Sequence, residues 1–390
     1  MNKTLLWLSL SAGLFVATAV EAKPPKKIKT TEEGRLEYLQ KAKFYEPVDI
    51  SQSDFGNSGK KYDPFETVKC EFIEPEVDIP GGRSPKFLCL EKEDDDEKVK
   101  YGVAGRQTEI YGEVMGSRLL KGVGYYADDN YPVRVECENC PEDPWDYIRY
   151  SQLHPGNSNK LRQLRYTSKS FDRDTRVFNP AVIEKKAHRT EIVEEDGKEG
   201  FSFKEFGNYK GLSEEQTVHR DGLYIMGALL QHADSKGDNQ RLYCPKDQLI
   251  KLEPEKSDKE SDYDCRQPIG MIHDLGYTFG RGHYYLLQSS KTELEDWKKA
   301  PVFSDPEACV IKVYKDPGGT LSTRKVSPAS RDFIGGLLGQ MSDNQIYTLF
   351  DSARPYLKYP MGTDYEDITS QWVDTFKAKR SEIQTAPCTE

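Results

Sequence analysis

The spacing of apolar residues changes along the chain, and each pattern predicts a different kind of element. Residues 67–72 alternate between polar and apolar positions, which is typical of a strand with one buried face, and residues 97–103 repeat that pattern. From Gln107 to Lys121 the apolar residues recur at intervals of three and four, the period of an amphipathic helix. A further strand is predicted at Tyr131–Glu136, so this part of the chain reads as strands around one helix.

The later segments are mainly helical. Val218–Gln231 carries an apolar stripe, and amphipathic helices are predicted at Arg331–Leu338, Asp343–Ala353 and Tyr365–Ile383. Ser342 is a good N-cap for the helix that begins at Asp343. Strands followed by helices predict an α+β fold.

The N-terminus has the features of an export signal. Lys3 precedes an apolar run from Leu5 to Val20, and small residues at Val20 and Ala22 fit signal-peptidase cleavage after Ala22. A membrane anchor is the alternative, but the run is short for a spanning helix. We therefore expect a signal peptide at 1–22 and a secreted or periplasmic protein with no membrane span in the mature chain. Residues 23–66 are predicted to form a partly disordered extension with a short helix-like patch at Arg35–Phe44.

Composition excludes one class of partner and points to an oxidising compartment. The formal net charge of −10 over 390 residues argues against nucleic acid as a partner, because binding it needs a basic face. Eight cysteines in an exported chain predict disulfides. Local spacing suggests the pairs Cys70–Cys89, Cys137–Cys140, Cys244–Cys265 and Cys309–Cys388. Cys137 and Cys140 could instead form a redox pair or half of a zinc site. No second C-x-x-C motif or nearby His supports zinc, and Pro141 and Pro144 follow where a thioredoxin-like redox motif would need a strand–helix junction, so a structural disulfide is favoured.

Two polar motifs follow apolar segments in the second half of the chain. His232, Asp234, Lys236 and Asn239 are spaced H-x-D-x-K-x-x-N, and Asp274 opens a D-L-G. In phosphoryl-transfer enzymes this spacing places an Asp that takes or orients the proton of the attacking hydroxyl, and an Asn that holds a metal ion. A D-L-G is where kinases place the Asp that chelates Mg²⁺. A lone His is more often a satisfied core residue, and His232 fits that role as well as a functional one.

A glycine-containing turn precedes the second predicted strand. Gly81, Gly82 and Ser84 would suit a loop whose backbone N–H groups cover phosphates. An ordinary β-turn explains the same residues, and the turn is the preferred interpretation when this segment is taken alone.

A lysine and a glutamate follow in the order that nucleotide binding requires. Lys98 and Lys100 point to the same side of their strand, so alternation does not distinguish them. Glu113 lies on the predicted helix, one turn after Glu109. A strand Lys that holds phosphates and a helix Glu that holds the Lys are parts of a kinase small lobe.

Taken together, these segments resemble the atypical protein-kinase-like clan, which contains HipA-type, CotH-type and secretory-pathway kinases. The resemblance spans roughly residues 67–285 and rests on five stretches: G-G-R-S-P-K-F at 81–87, K-V-K-Y-G at 98–102, G-E-V-M-G-S-R-L-L-K-G-V-G at 112–124, H-A-D-S-K-G-D-N at 232–239 and D-L-G at 274–276. It implies a bilobal fold with a small antiparallel β lobe plus one helix, and a larger, mainly helical lobe. The N-lobe would span 67–136 and the C-lobe 137–390, with a disulfide-bracketed insertion at 240–268.

The resemblance also implies roles for the motif residues. Asp234 would be the catalytic base, Lys236 a γ-phosphate contact, and His232 a support for the loop. Asn239 and Asp274 would be the metal ligands. The residues that would bind the nucleotide are Lys100 or Lys98, Glu113, Gly81, Gly82 and Ser84.

The leading hypothesis is an exported phosphotransferase that uses ATP and Mg²⁺ or Mn²⁺ on a protein or small-molecule acceptor that the sequence does not name. A nucleotidyl (AMP) transferase on the same scaffold is one alternative. A catalytically inactive kinase-like binding protein is another, and a thiol-redox protein that uses Cys137 and Cys140 is a third.

Overall fold

The structure is a computed structural model that describes residues 25–389, except 58, 60, 75–83, 93–94, 103–108, 147–171, 187–189, 209–211, 254–261, 281–291, 315–318 and 360–363. The predicted signal peptide, and Gly81 and Gly82, therefore lie outside the described residues. The fold is α+β, as the sequence predicts.

The strands, in chain order, are β1 (Lys27–Thr30), β2 (Thr67–Phe72), β3 (Lys86–Lys92), β4 (Asp95–Tyr101), β5 (Asp129–Pro141), β6 (Arg173–Lys185), β7 (Thr190–Glu194), β8 (Gln240–Cys244), β9 (Leu249–Lys251), β10 (Tyr263–Cys265), β11 (Ile269–Ile272), β12 (Phe303–Asp305), β13 (Val310–Lys312) and β14 (Thr323–Lys325). The helices are α1 (Glu32–Lys41), α2 (Ile110–Gly122), α3 (Phe203–Gly207), α4 (Glu214–Leu230), α5 (Leu294–Lys299), α6 (Pro328–Gly339), α7 (Asp343–Ala353) and α8 (Tyr365–Thr385). Short 3₁₀ turns occur at Ile50–Gln52, Gly237–Asn239, Lys246–Gln248 and Pro355–Lys358.

Five strands close into a barrel in the order β2-β3-β4-β6-β5. Phe87, Val99 and Val135 are fully buried in its interior. Because side chains alternate along a strand, the neighbours of Phe87 and Val99 point to the outer face. The alternation of polar and apolar residues thus builds a closed, mainly apolar barrel, with Lys86, Lys98 and Lys100 on its outer face and one fully buried carboxylate, Glu97, on the same side of β4 as Val99.

The barrel differs from the predicted small lobe in two respects. Its strands are not all antiparallel, because β2 closes the barrel by pairing in parallel with β5, with Val68 opposite Val135. It also extends beyond residue 136. Strand β5 continues to Pro141, and β6, which begins at Arg173, pairs along it. The barrel is complete only when β6 is included.

A second sheet has the order β1-β7-β8-β11. Its edge strand β1 comes from the predicted N-terminal extension and pairs in parallel with β7. Helix α1 follows, and its Arg35 is fully buried, with Nε 2.5 Å from Glu194 Oε1 and Nη2 2.7 Å from Glu205 Oε1. The described part of the extension is thus fixed to this sheet by a buried cation with two carboxylate partners.

Helix α2 connects the barrel to the helices that follow. Nearly all its residues are buried, and its apolar side chains belong to the same large core as those of α4, α6, α7 and α8. The helix ends at a turn where Gly124 has a φ of +96°. A Cβ at that position would lie 2.3 Å from the carbonyl oxygen of Glu46, so only glycine fits. In the part of the chain that the structure describes, no helix is both long and apolar enough to cross a membrane.

All eight cysteines are paired, and the four disulfides are those suggested by local spacing: Cys70–Cys89, Cys137–Cys140, Cys244–Cys265 and Cys309–Cys388. The Cys137–Cys140 pair is buried within β5. That position agrees with a structural disulfide better than with an accessible redox pair, whose thiolate must be exposed to react.

The disulfides are expected to stabilise the fold more when the loops they close are longer, with a logarithmic dependence on loop length. In the chain-entropy model, loss of Cys309–Cys388 should cost about 4.5 kcal/mol, Cys244–Cys265 about 3.3 kcal/mol and Cys137–Cys140 about 1.6 kcal/mol. Sequence separations of 79, 21 and 3 residues give this order. Urea denaturation of the three double Cys→Ser variants measures it, and an equal loss for all three would contradict the prediction.

Candidate functional site

The loop at 232–239 is fixed at the end of helix α4. Gln231 ends the helix in the left-handed conformation, with φ +52°, and its side-chain amide donates to the carbonyl oxygens of Ala228 and Lys312. The backbone N–H of His232 then bonds to the Gly227 carbonyl at 2.9 Å. The αL cap turns the chain sharply, so the loop leaves the helix in a defined direction.

Hydrogen bonds also hold the middle of this loop. The Nδ2 atom of Asn239 donates to the Asp234 carbonyl at 2.6 Å, which closes the loop on itself. The Ser235 hydroxyl accepts from the backbone N–H groups of Thr320 and Leu321 at 2.9 and 2.8 Å. Lys236 is exposed, with Nζ 3.4 Å from Asp234 Oδ2. Asp234 is therefore held by its backbone, while Lys236 is exposed on the surface of the loop, where a ligand can contact it.

Strand pairing brings Asp274 beside this loop. Strands β8 and β11 are antiparallel, with Gln240 opposite Ile272, and the backbone N–H of His273 donates to the Asn239 carbonyl at 2.8 Å. Asp274 comes next, and its Oδ1 accepts from the Gly276 N–H at 3.1 Å. The residues predicted as base and metal ligands thus lie on adjacent backbone segments although they are far apart in sequence.

His232 lies beneath the loop as a buried, neutral side chain. It is fully buried, and burial lowers its pKa to about 4, although Asp234 and Asp274 act in the opposite direction. Its Nε2 lies 3.2 Å from the Gln240 side-chain amide. The proximity of both carboxylates to one ring is further evidence that the loop and the D-L-G segment meet.

A lysine–glutamate cluster lies on the outer face of the barrel. It consists of Lys98, Lys100, Glu113 and Glu184. Lys100 is buried and contacts Glu113 on α2, and its Nζ is 2.8 Å from Glu184 Oε2. Lys98 Nζ is 2.7 Å from Glu184 Oε1. Both lysines reach one carboxylate, so they share a face as predicted, but Lys100 is the one that contacts the helix glutamate.

The charges in this cluster are strongly coupled. Burial alone favours the neutral forms, yet Glu113, Glu184 and Asp274 together hold the pKa of Lys100 well above its usual range. Burial raises the pKa of Glu113 to about 8 despite Lys100. Against the same burial penalty, Lys100 and Lys98 keep the pKa of Glu184 well below its ordinary value, and Lys100 and His273 do the same for Asp274. Lys100 is thus a permanent cation between carboxylates.

An acidic cluster lies next to Lys100. The carboxylates of Glu109, Glu113 and Asp274 place one oxygen each within 4.8 Å of one another. Glu113 Oε2 is buried and has no hydrogen-bond partner in the described residues, so a ligand could satisfy it. Hard oxygen ligands of this kind suit Mg²⁺ or Mn²⁺. Asp274 was predicted as a metal ligand together with Asn239, and the structure adds beside it Glu113 on α2 and Glu109 at the N-cap of that helix.

Other predicted site residues are less central. Ser84 is buried just before β3, and its hydroxyl has no partner among the described residues. Gly81 and Gly82 lie outside the described residues, so their predicted contact with phosphates stays a prediction.

Sequence reasoning missed three groups at the site. Glu184 ends an apolar run in β6 that was not interpreted, and its pairing with Lys98 depends on strand register. Asp128 is buried and contacts His273, which connects the start of β5 to the D-L-G segment. Lys86 is a third lysine on the outer barrel face. The sequence could have indicated this position, because Phe87 is expected to face the barrel core and its neighbour Lys86 therefore points to the outer face.

Comparisons with known proteins add little to this geometry. No protein-family model matches the chain, and no curated protein matches it. Among solved structures, a Helicobacter pylori proinflammatory kinase, CtkA, aligns with 83% of this chain and 98% of its own, with a TM-score of 0.43 and 12% sequence identity. A similarity at this level carries no argument about function, which must come from the site itself.

Removal of Lys100 should destabilise the fold in a pH-dependent way. In Lys100→Met the buried carboxyls of Glu113 and Glu184 lose their shared cation, and we expect a loss of about 3–5 kcal/mol near neutral pH. The pKa of Glu184 then rises from below its unfolded value, and that of Glu113, already raised by burial, rises further, so folding of the variant takes up more protons than folding of the wild type. The difference in unfolding free energy between the wild type and Lys100→Met should therefore become smaller as the pH falls from about 8 to about 5.

Urea denaturation across that pH range measures the effect, with Lys98→Met as the control. Lys98 lies on the same face, but it contacts only Glu184 and is partly exposed. Lys98→Met should therefore lower the free energy of unfolding by less than Lys100→Met does. A Lys100→Met deficit that does not change with pH would contradict the proposed charge balance.

Proposed function

We propose that this protein is an exported, kinase-like phosphotransferase with a bilobal fold, which transfers the γ-phosphoryl group of ATP to a hydroxyl acceptor with Mg²⁺ or Mn²⁺. The observation that carries the proposal is the convergence of Asp234, Asn239 and Asp274 beside the buried contact between Lys100 and Glu113. Its four disulfides are typical of proteins outside the cytosol, which supports export.

Each group has a defined task in this mechanism. Lys100, held by Glu113, would position the phosphates of the nucleotide, in preference to Lys98. Asp234 would take the proton of the acceptor hydroxyl while the hydroxyl oxygen bonds to the γ-phosphorus. The bond between the γ-phosphorus and the bridging oxygen of the β-phosphate would break, which releases ADP. One carboxylate oxygen, Oδ1 of Asp234, is buried and has no hydrogen-bond partner in the described residues, so it is available to accept that proton. Lys236, which is exposed, would contact the γ-phosphate.

The metal ion would be held by Asp274 and Asn239, with Glu109 and Glu113 close enough to contribute. When bound, it would neutralise charge on the phosphates. The side-chain amide nitrogen of Asn239 is engaged by the Asp234 carbonyl, which leaves its oxygen as the ligand atom. The residues present therefore fit a divalent cation.

Transfer of label from ATP tests the reaction. Wild-type protein incubated with Mg²⁺ or Mn²⁺ should transfer label from the γ position to itself, to an added acceptor or to water, and none from the α position. Asp234→Asn should lower the rate by roughly 10²–10⁴-fold, the usual contribution of general acid–base catalysis.

Asp238→Asn is the matched control, since Asp238 lies in the same loop but is exposed. It should retain the wild-type rate. Transfer from the α position would replace the proposal with nucleotidyl transfer. Binding of ATP with no transfer from either position would indicate an inactive binding protein.

Metal dependence of binding tests the ligand assignment. ATP with Mg²⁺ at a hundred times its dissociation constant should stabilise the wild-type protein by about 2.7 kcal/mol. Asp274→Asn should lose the part of this stabilisation that requires the metal, because the negative charge and one of the two carboxylate oxygens are removed. Asp374→Asn changes an exposed carboxylate on α8 and should have no effect. Thermal unfolding of both variants, with ATP in the presence and absence of the metal, measures the metal-dependent stabilisation. An unchanged metal-dependent shift in Asp274→Asn would refute the assignment.

A further inference from the structure

Lys86 is a buried cation next to the candidate site, and although it lies in the 81–87 stretch the proposed mechanism gives it no role. It begins β3, and the antiparallel register places it directly opposite Lys100 on β4. Side chains of directly opposed residues lie on the same face of a sheet. Lys86 therefore lies on the outer barrel face with Lys98 and Lys100, and it is only 6% exposed.

Lys86 differs from its two neighbours in having no acceptor. Lys98 and Lys100 each lie within 2.8 Å of a Glu184 oxygen, and Lys100 also contacts Glu113. Within the described residues, no carboxylate or carbonyl oxygen lies within hydrogen-bonding or ion-pair distance of the Lys86 ammonium group. Burial of a charge is costly unless the charge is paired, so this position calls for an anion that arrives with a ligand.

The charged groups around Lys86 are compatible with that role. Burial lowers its pKa to about 8, with Lys100 and Lys98 acting in the same direction and Glu109 and Asp274 opposing them at longer range. The ammonium form therefore still predominates at neutral pH. The influence of Asp274 and Glu109 also shows that Lys86 is close to the acidic cluster.

Ser84, which the sequence also suggested as a phosphate contact, is a second donor in this segment. It lies at a bend two residues before Lys86, and only 3% of it is exposed. Its hydroxyl has no hydrogen-bond partner in the part of the chain that the structure describes. Two buried donors, one of them cationic, thus lie two residues apart with no acceptor among the described residues.

We propose that Ser84 and Lys86 together bind a phosphate group of the nucleoside triphosphate donor. The proposal rests on the proposed function and adds to it the residue that supplies the uncompensated positive charge. Lys100 contacts Glu113 and Glu184, and Lys98 contacts Glu184, so both of these lysines have carboxylate partners within the protein. Lys86 is the lysine of this face whose charge remains for an anionic ligand.

The test compares Lys86→Met, Lys86→Arg and Ser84→Ala with the wild-type protein by isothermal titration calorimetry and thermal unfolding. The probes are ATP, inorganic tripolyphosphate and adenosine. Lys86→Met should bind ATP and tripolyphosphate at least about tenfold more weakly, the value of a charge-assisted hydrogen bond, with adenosine binding unchanged. Ser84→Ala should bind ATP and tripolyphosphate about threefold more weakly. Lys86→Arg should retain most of the wild-type affinity for both.

The stability of the free protein supplies a readout that a structural role would not give. Because Lys86→Met removes an unpaired buried charge, the variant without ligand should melt at the same temperature as the wild type or higher, even though it binds anions more weakly. Lys69→Met is the matched control, since Lys69 lies on β2 with a side chain that is 73% exposed. It should change neither stability nor binding.

The outcomes distinguish this proposal from the proposed function. Wild-type affinity for tripolyphosphate in Lys86→Met, or a large loss of stability in that variant with anion binding intact, overturns the role of Lys86. Wild-type protein that binds neither ATP nor tripolyphosphate overturns it as well. Lys86-dependent binding of tripolyphosphate without transfer of label from ATP would support the anion site and reject the phosphotransferase.

Discussion

The buried contact of Lys100 with Glu113 and Glu184 is the interaction on which the rest of the site depends. Helix α2 is covered on nearly every side, so a charged residue on it has no route to water. Glu113 is tolerated there because Lys100 meets it from the barrel, and Lys100 is tolerated because two carboxylates surround it. The contact therefore fixes the position of α2 relative to the barrel.

The opposite wall of the site is positioned by backbone rather than by charge. The pairing of β8 with β11, the αL turn at Gln231 and the bond from Asn239 to the Asp234 carbonyl leave little freedom in where the aspartates lie. The Cys244–Cys265 disulfide closes the segment between these two strands, so the insertion there does not separate them. A site with one electrostatic wall and one hydrogen-bonded wall is held in place without a ligand, which is what preorganised binding requires.

Sequence reasoning succeeded where local pattern determines the outcome. The helix predicted at Gln107–Lys121 is α2, and all four disulfides follow from spacing. Local pattern carries no information about which strands become neighbours. The parallel pairing of β2 with β5 and the completion of the barrel by β6 therefore could not be read from it. For the same reason alternation left Lys98 and Lys100 equivalent, because the difference between them is the contact of Lys100 with Glu113 across space.

The unequal pairing of the three lysines explains how one site can be both stable and able to bind an anion. A lysine that contacts carboxylates is stabilised in the empty fold but offers less net attraction to phosphate, and Lys100 is in that position. Its contribution to a bound nucleotide is geometric, since its direction is fixed by Glu113. A lysine without a partner has the opposite properties, because it costs stability when the site is empty and attracts an anion strongly. Lys86 occupies that position two residues beyond Ser84, so positioning and attraction are assigned to different side chains on the same face of the barrel.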